Sequence, residues 1–267
     1  MDAQERVLEL YLRPRGSEKG VLYAELEGAA GPVTVDTPLE LAEFVALDIE
    51  TTGNTPFLVI EIGAERFNLQ GSLSTFDTLV HTRAPINTYA RKRHQIDRDM
   101  LKDAPGFSEV RRAFLRFAQG AVLVEHSHDA FDTYLIGRGL KSPLQHPIID
   151  TSALARLVLD LPSGQTPGLA RVVEELELDV DPQHAALTDA TATAAVFREL
   201  VRRARDRFGW RVLGDALGVL QRPEIDRSAL EGRPRVTKPR PRRRRSTRTV
   251  SSEGPAPDAP GPTDPPR

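Results

Sequence analysis

The sequence predicts an α/β fold in which a mixed β-sheet is flanked by helices. Apolar runs typical of strands come early in the chain, and helical segments alternate with short buried strands after them. Hydrophobic residues make up 39% of the 267 residues, which is enough for one sizeable packed domain.

The first half of the chain predicts a three-stranded antiparallel meander. An apolar run that begins at Phe44 predicts the opening strand. Phe57–Phe67 and Leu73–His81 predict the next two strands, and Asn68–Ser72 has the composition of a turn between them.

The second half predicts helices that alternate with short strands. Ala121–Val124 predicts a buried strand of the kind found in parallel pairing, and Ile148–Ile149 predicts a short strand. The predicted helices cover residues 105–119, 129–139, 152–159, 168–176, 189–205 and 211–220. In the first of them, four apolar residues recur at helical spacing: Val110, Ala113, Phe114 and Phe117.

The composition divides the chain into four predicted regions. They are an N-terminal extension (1–42), a main α/β domain (43–205), a C-terminal helical segment (206–232) and a tail (233–267). Within the extension, Val21–Leu26 and Pro32–Val35 predict two short strands. The tail has ten basic and three acidic residues among many prolines, so we expect it to be disordered.

Several classes of protein are excluded by composition. The chain has no cysteine, which rules out disulfides and thiolate metal sites, so a metal must be held by oxygen or imidazole. No run approaches the roughly 20 apolar residues of a membrane span, and the acidic start lacks the features of an export signal. We therefore expect a cytoplasmic protein with no membrane contact. The net charge of −2 hides an acidic body and a basic tail, so nucleic acid remains a possible partner.

Two carboxylates come at the end of the opening strand. Asp48 and Glu50 are two residues apart, so in a strand they project from the same face. In isolation, such a pair is more often only the polar end of a strand. Further acids at two other places in the chain change that interpretation.

These further acids follow a predicted strand and open a predicted helix. Asp132 comes after the strand at 121–124, at the end of a polar loop. Asp189 opens the helix at 189–205, and His184 precedes it by five positions, so we expect His184 in a loop beside the site. Alternatively, Asp189 only complements the helix dipole and the other two are solvated surface residues.

Together these residues resemble the three exonuclease motifs of the DEDDh group, typified by the proofreading epsilon subunit of bacterial DNA polymerase III. The resemblance spans about residues 43–205 and also includes Ile60–Ala64, His94–Leu101, Ala104–Val110 and Gln183–Ala190. It implies a ribonuclease-H-like sheet, 3′ to 5′ exonuclease activity and two Mg²⁺ or Mn²⁺ ions. The implied partners are single-stranded or frayed 3′ ends of DNA and a DNA polymerase subunit.

The resemblance assigns roles to named residues. The metal ligands would be Asp48, Glu50, Asp132 and Asp189, and carboxylate oxygens are the ligands that these hard cations prefer. His184 would accept a proton from the attacking water, because imidazole accepts protons near neutral pH. The implied substrate contacts are Thr51, Thr52, Gly53, His94 and Phe131. The basic run Arg91–Arg93 beside His94 is alternatively a solvated loop.

The chain departs from the group at two places. Ser127 and His128 stand where many members have His-Asn, and Tyr89 stands where the epsilon subunit has an acid near the substrate. Two alternatives to a DNA exonuclease remain at this stage: an RNA 3′ to 5′ exonuclease of the same group, and a non-catalytic binding module. The presence of all five expected catalytic residues favours an enzyme.

Overall fold

A computed structural model of the protein describes residues 33–127, 130–140, 144, 146–161 and 167–217. The elements in this part of the chain are β1 (Phe44–Thr51), β2 (Val59–Phe67), β3 (Ser72–Leu79), α1 (Thr88–His94), α2 (Arg98–Leu101), α3 (Phe107–Phe117), β4 (Val122–Glu125), α4 (Phe131–Gly137), β5 (Ile148–Asp150), α5 (Thr151–Val158), α6 (Leu169–Glu175), α7 (Ala186–Phe208) and α8 (Leu213–Leu217).

The five strands form one mixed sheet in the order β3-β2-β1-β4-β5. β1 pairs with β2, and β2 with β3, in the antiparallel orientation. β1 with β4, and β4 with β5, are parallel pairs. The predicted mixed sheet, its meander, the parallel strand at 121–124 and the short strand at 148–149 are therefore confirmed. The four apolar residues singled out in α3 are all buried, as their spacing predicts.

The central strand β1 has a helical layer on each face. Phe44 and Ala46 pack in the core beneath α5, α6 and α7. The residues that alternate with them, from Val45 onward, pack in the core beneath α3 and α4. Asp48 and Glu50 continue the first set, because strand side chains alternate between faces. The two acids therefore lie on the α7 face of the sheet.

The longest helix, α7, begins at Ala186, three residues before the predicted start. Its N-cap residue, Ala185, has no side chain that caps the helix. Instead, Oε2 of Glu61 on β2 accepts a hydrogen bond from the backbone N–H of Ala186 at 3.1 Å. A cap supplied from a distant strand leaves no local sequence signal, which explains the error in the predicted boundary.

Two short helices, α1 and α2, were not predicted. The alternative that Arg91–Arg93 lie in a loop is wrong, because they form the last turn of α1. Asn87 caps this helix, since its Oδ1 accepts hydrogen bonds from the N–H groups of Tyr89 at 2.8 Å and Ala90 at 3.4 Å. His94 is the one buried residue of α1, so the helix has no apolar stripe that periodicity would detect.

The strand predicted at Pro32–Val35 is wrong over its described residues, 33–35. Thr34 instead begins a turn in which its N–H donates to Oγ1 of Thr37 at 2.8 Å. The carbonyl of Val35 accepts from the N–H of Gly214 at the start of α8, also at 2.8 Å. The backbone of these residues therefore forms hydrogen bonds with a turn and with α8, and not with a neighbouring strand.

Some expectations lie outside the described residues, namely the strand at Val21–Leu26 and the disorder of the tail. By its contacts the chain divides into Met1–Gly232 and Arg233–Arg267, and every described residue belongs to the first unit. In that unit, Leu39 and Ala42 of the predicted extension are buried in the core. The four predicted regions otherwise stay a prediction. Among the described helices, none combines the length and apolar character that crossing a membrane requires.

The close contact between α7 and β2 generates a stability prediction. A Cβ on Gly63 would lie 2.0 Å from the backbone N of Leu187, so Gly63→Ala must push α7 away from the sheet. We expect the free energy of unfolding to fall by about 1–3 kcal/mol, as overpacking typically causes. Gly71→Ala is the control, since a Cβ there meets nothing within 4 Å. Equal denaturation midpoints for the two variants would contradict this account.

Candidate active site

A pocket of about 280 Å³ opens at the carboxyl end of β1, between that strand, α1 and the start of α7. Its lining residues are Asp48, Ile49, Glu50, Thr51, Tyr89, Ala90, Arg93, His94, His184 and Asp189. Four of the five predicted catalytic residues are in this set. The fifth, Asp132, is buried in the first turn of α4.

The electrostatics of Asp48 show that the predicted acids are close together. Burial raises the pKa of Asp48 well above its usual value, and repulsion from nearby carboxylates raises it further. Those carboxylates are, in decreasing order of effect, Asp132, Glu50, Asp189 and Glu61. β1, α4 and α7 therefore bring the four predicted metal ligands towards one strand end.

Asp132 belongs to a second buried group of acids on the β4 and β5 side. Burial, followed by repulsion from Asp150, raises the pKa of Asp132 to about 7. Burial and repulsion from Asp132 likewise raise the pKa of Glu125 to about 8. Glu125 accepts hydrogen bonds from the N–H of Thr133 at 3.0 Å and from its hydroxyl at 3.2 Å, which hold the first turn of α4.

His184 lies in the loop before α7, where the sequence predicts it. Its imidazole is half exposed, and its Nδ1 is 4.0 Å from Oδ2 of the buried Asp189. Nη2 of Arg93 is 2.8 Å from the other ring nitrogen, Nε2. The same Nη2 is 3.5 Å from Nδ1, so the guanidinium lies beside both ring nitrogens, and Nε2 is the nearer of the two.

The predicted substrate contacts have different surroundings. Thr51 and His94 line the pocket. Thr52 and Gly53 lie outside the pocket lining. The hydroxyl of Thr52 accepts a hydrogen bond from the N–H of Leu58 at 3.2 Å. Phe131 packs edge-to-face against another ring with 5.5 Å between centroids, and also lies outside the pocket lining. Their contact with substrate stays a prediction.

Four residues of the site were not identified from the sequence: Glu61, Glu125, Asp150 and Arg93. Glu61 and Glu125 had a usable signal, since Glu61 interrupts an apolar run of the sequence and Glu125 ends one. Of the two departures from the family pattern, Tyr89 is exposed at the rim of the pocket. Ser127 Oγ accepts from the N–H of Phe131 at 3.0 Å, and His128 lies outside the described residues.

The four predicted carboxylate ligands have the chemistry that divalent cations require. Repulsion among carboxylates raises the pKa of Asp48, which means that added positive charge would stabilise the ionised form. Mg²⁺ and Mn²⁺ prefer carboxylate oxygens, which these residues supply. Within the described ranges, no three acidic or histidine side chains are already arranged as a metal centre. The fit therefore rests on the charge and type of the ligands.

Comparison with models of known protein families identifies the family of this chain. A family model described as "Exonuclease" (RNase_T) matches residues 45–197, which include every predicted catalytic residue. The chain belongs to this exonuclease family. Exonucleases of this family and fold depend on metal ions.

Curated relatives of this exonuclease are components of DNA polymerase III. A PolC-type polymerase from Caldanaerobacter subterraneus subsp. tengcongensis is 36% identical over 190 residues, or 69% of this chain and 13% of the polymerase. The epsilon subunit from Treponema pallidum is 34% identical over 175 residues, or 61% of this chain and 78% of the subunit. The exonuclease thus spans a small part of the polymerase and most of the epsilon subunit.

Solved structures confirm the ribonuclease-H-like exonuclease fold. Exonuclease X, in complex with 5′ overhanging duplex DNA, has a TM-score of 0.51 at 21% identity and covers 66% of this chain and 99% of its own. The nuclease domain of 3′hExo, a DEDDh family member bound to rAMP, has a TM-score of 0.52 at 18% identity. That match covers 60% of this chain and 92% of the domain.

The raised pKa values generate a prediction about stability and pH in the absence of divalent ions. In the unfolded chain, Asp132 and Glu125 ionise near pH 4, but in the folded protein only near pH 7 and 8. Between these values the folded state binds more protons, so the free energy of unfolding falls as pH rises. Urea titrations in EDTA from pH 5 to pH 8 measure this slope. We expect Glu125→Gln to flatten it, and a slope of the opposite sign would contradict the assignment.

Proposed function

We propose that the chain is a 3′ to 5′ exonuclease that removes nucleoside 5′-monophosphates from DNA ends with two Mg²⁺ or Mn²⁺ ions. The observation that carries the proposal is that Glu50, Asp132 and Asp189 lie around Asp48, beside an exposed histidine in an open pocket. The names of the curated relatives support DNA as the substrate and a DNA polymerase subunit as a partner.

The four carboxylates have the role of holding the ions. Each of the other three raises the pKa of Asp48, after the larger effect of burial, so Asp48 would hold the ions together with Glu50, Asp132 and Asp189. When bound, the ions supply positive charge beside the attacking water and the leaving 3′ oxygen. Glu61 helps to position Asp189, because its carboxylate accepts a hydrogen bond from the first residue of α7, the helix that carries Asp189.

His184 has the role of general base. A neutral imidazole has one nitrogen without a proton, and in His184 this nitrogen accepts the proton of the water that attacks the phosphorus. Nδ1 faces Asp189 at 4.0 Å, and this carboxylate stabilises the positive charge that the ring then acquires. Half exposure of the imidazole lets the proton pass to solvent before the next cycle.

Digestion of 3′-labelled single strands tests the proposal. Parallel reactions with DNA and RNA contain Mg²⁺, Mn²⁺ or EDTA, and the products are analysed for nucleoside 5′-monophosphates. We expect DNA to be shortened from the 3′ end with either ion and to stay intact in EDTA. Faster digestion of RNA would instead favour an exoribonuclease, and intact strands in every reaction would favour a binding module.

Loss of one central carboxylate should abolish hydrolysis. Asp48→Ala or Glu50→Ala removes charge that holds the ions without removing core volume, so we expect a folded protein with turnover below the detection limit. The apoprotein of Asp48→Ala should also melt at a higher temperature, because repulsion among the acids is relieved. Asp103→Ala removes an exposed acid outside the pocket and serves as the control. Turnover within about tenfold of wild type, a loss of only ~1.4 kcal/mol, would contradict the metal-binding role.

Replacement of His184 should affect turnover and not metal binding. His184→Gln keeps a polar side chain but cannot take up the proton, so we expect turnover to fall by roughly 10²–10⁴-fold. Titration calorimetry with Mn²⁺ measures metal affinity separately, with Asp189→Asn as the comparison. If both variants lost metal affinity equally, His184 would be a ligand and not the base.

A further inference from the structure

Arg93 is a cation in a pocket of acids. Among the described residues that line the pocket, it is the one with a permanent positive charge, and three of the others are carboxylates. Its side chain is exposed and lies over the ring of Tyr89, with 5.8 Å between the guanidinium carbon and the ring centroid. The guanidinium therefore lies where a substrate would enter.

The helix that carries Arg93 is attached to the strand that carries the acids. The N–H of Asn87, the cap of α1, donates to the carbonyl of Thr52 at 2.8 Å, directly after β1. Gly53 has a φ of +66° and packs against α1 so closely that a Cβ there would lie 2.5 Å from Cβ of Ala90. These contacts hold α1 against the end of β1, so the base of the Arg93 side chain has a defined position over the pocket.

The contact between Arg93 and His184 blocks the proposed base. Nη2 of Arg93 lies 2.8 Å from Nε2 of His184 and 3.5 Å from its Nδ1, so the guanidinium covers the two ring nitrogens, one of which must accept the proton of water. The guanidinium must therefore leave His184 before hydrolysis. Its natural acceptor is a phosphate, because a guanidinium matches the paired oxygens of a phosphate in charge and geometry.

We propose that Arg93 binds a non-bridging phosphate oxygen of the nucleic-acid substrate at its 3′ end, and that this exchange of partners frees His184. This inference rests on the proposed function, since it assigns a substrate contact in the same pocket. Arg93 then anchors the strand, and the base becomes available when a strand is present. The residue contributes to binding, so its loss raises KM more than it lowers kcat.

The test compares Arg93→Met with Lys92→Met, which removes the same charge from the same helix at an exposed position outside the pocket lining. For hydrolysis of single-stranded DNA with Mg²⁺, we expect the KM of Arg93→Met to rise about tenfold, as loss of one charged hydrogen bond implies, with a much smaller change in kcat. Arg93→Lys should restore most of the affinity. Lys92→Met should behave as wild type.

A second readout does not depend on hydrolysis. Binding of a labelled single strand is measured by fluorescence anisotropy in EDTA over a range of salt concentrations. Loss of one phosphate contact flattens the plot of log K against log salt by about 0.7, so we expect this change for Arg93→Met and none for Lys92→Met.

The outcomes separate the inference from the proposed function. If wild type digests DNA and Arg93→Met keeps both the KM and the salt slope of Lys92→Met, the inference is overturned and the proposed function stands. If wild type digests nothing, the proposed function fails, and the salt slope alone decides whether Arg93 contacts phosphate.

Discussion

The candidate site depends on the contact between the first turn of α7 and strand β2. Gly63 has no side chain, which allows the backbone of Leu187 to approach the strand. Next to it, Glu61 accepts the hydrogen bond of the helix start. Asp189 in the first turn of α7 and His184 just before it therefore face Asp48 on β1, the strand next to β2. A wider separation of helix and sheet would remove the histidine and one acid from the site.

The same arrangement has an electrostatic cost. The fold gathers acids at the ends of β1 and β4 and encloses them, and the raised pKa values of Asp48, Asp132 and Glu125 show that their charges are poorly compensated. A site selected for stability alone would contain fewer carboxylates. Under the proposed function, bound divalent cations would relieve this repulsion and so join the function of the site to its stability.

The strands of the sheet and the larger helices were predictable because their signals are local. An apolar run or an apolar stripe reports burial of the segment itself, as the buried face of α3 shows. Helix α1 was missed because it exposes nearly all of its surface, although its Asn87 cap is visible in the sequence. The strand at 33–35 was predicted wrongly because β-branched residues favour a strand only where a partner strand is available.

By itself, the sequence determined the fold class, the family and the candidate catalytic set of Asp48, Glu50, Asp132, His184 and Asp189. Side chains that meet at a strand end or a helix start can be recognised from their spacing and their neighbours. Only the tertiary structure decided that Arg93 contacts the candidate base and that Glu61 caps α7. These contacts join residues 91 and 125 positions apart, so no local pattern of spacing or polarity reports them.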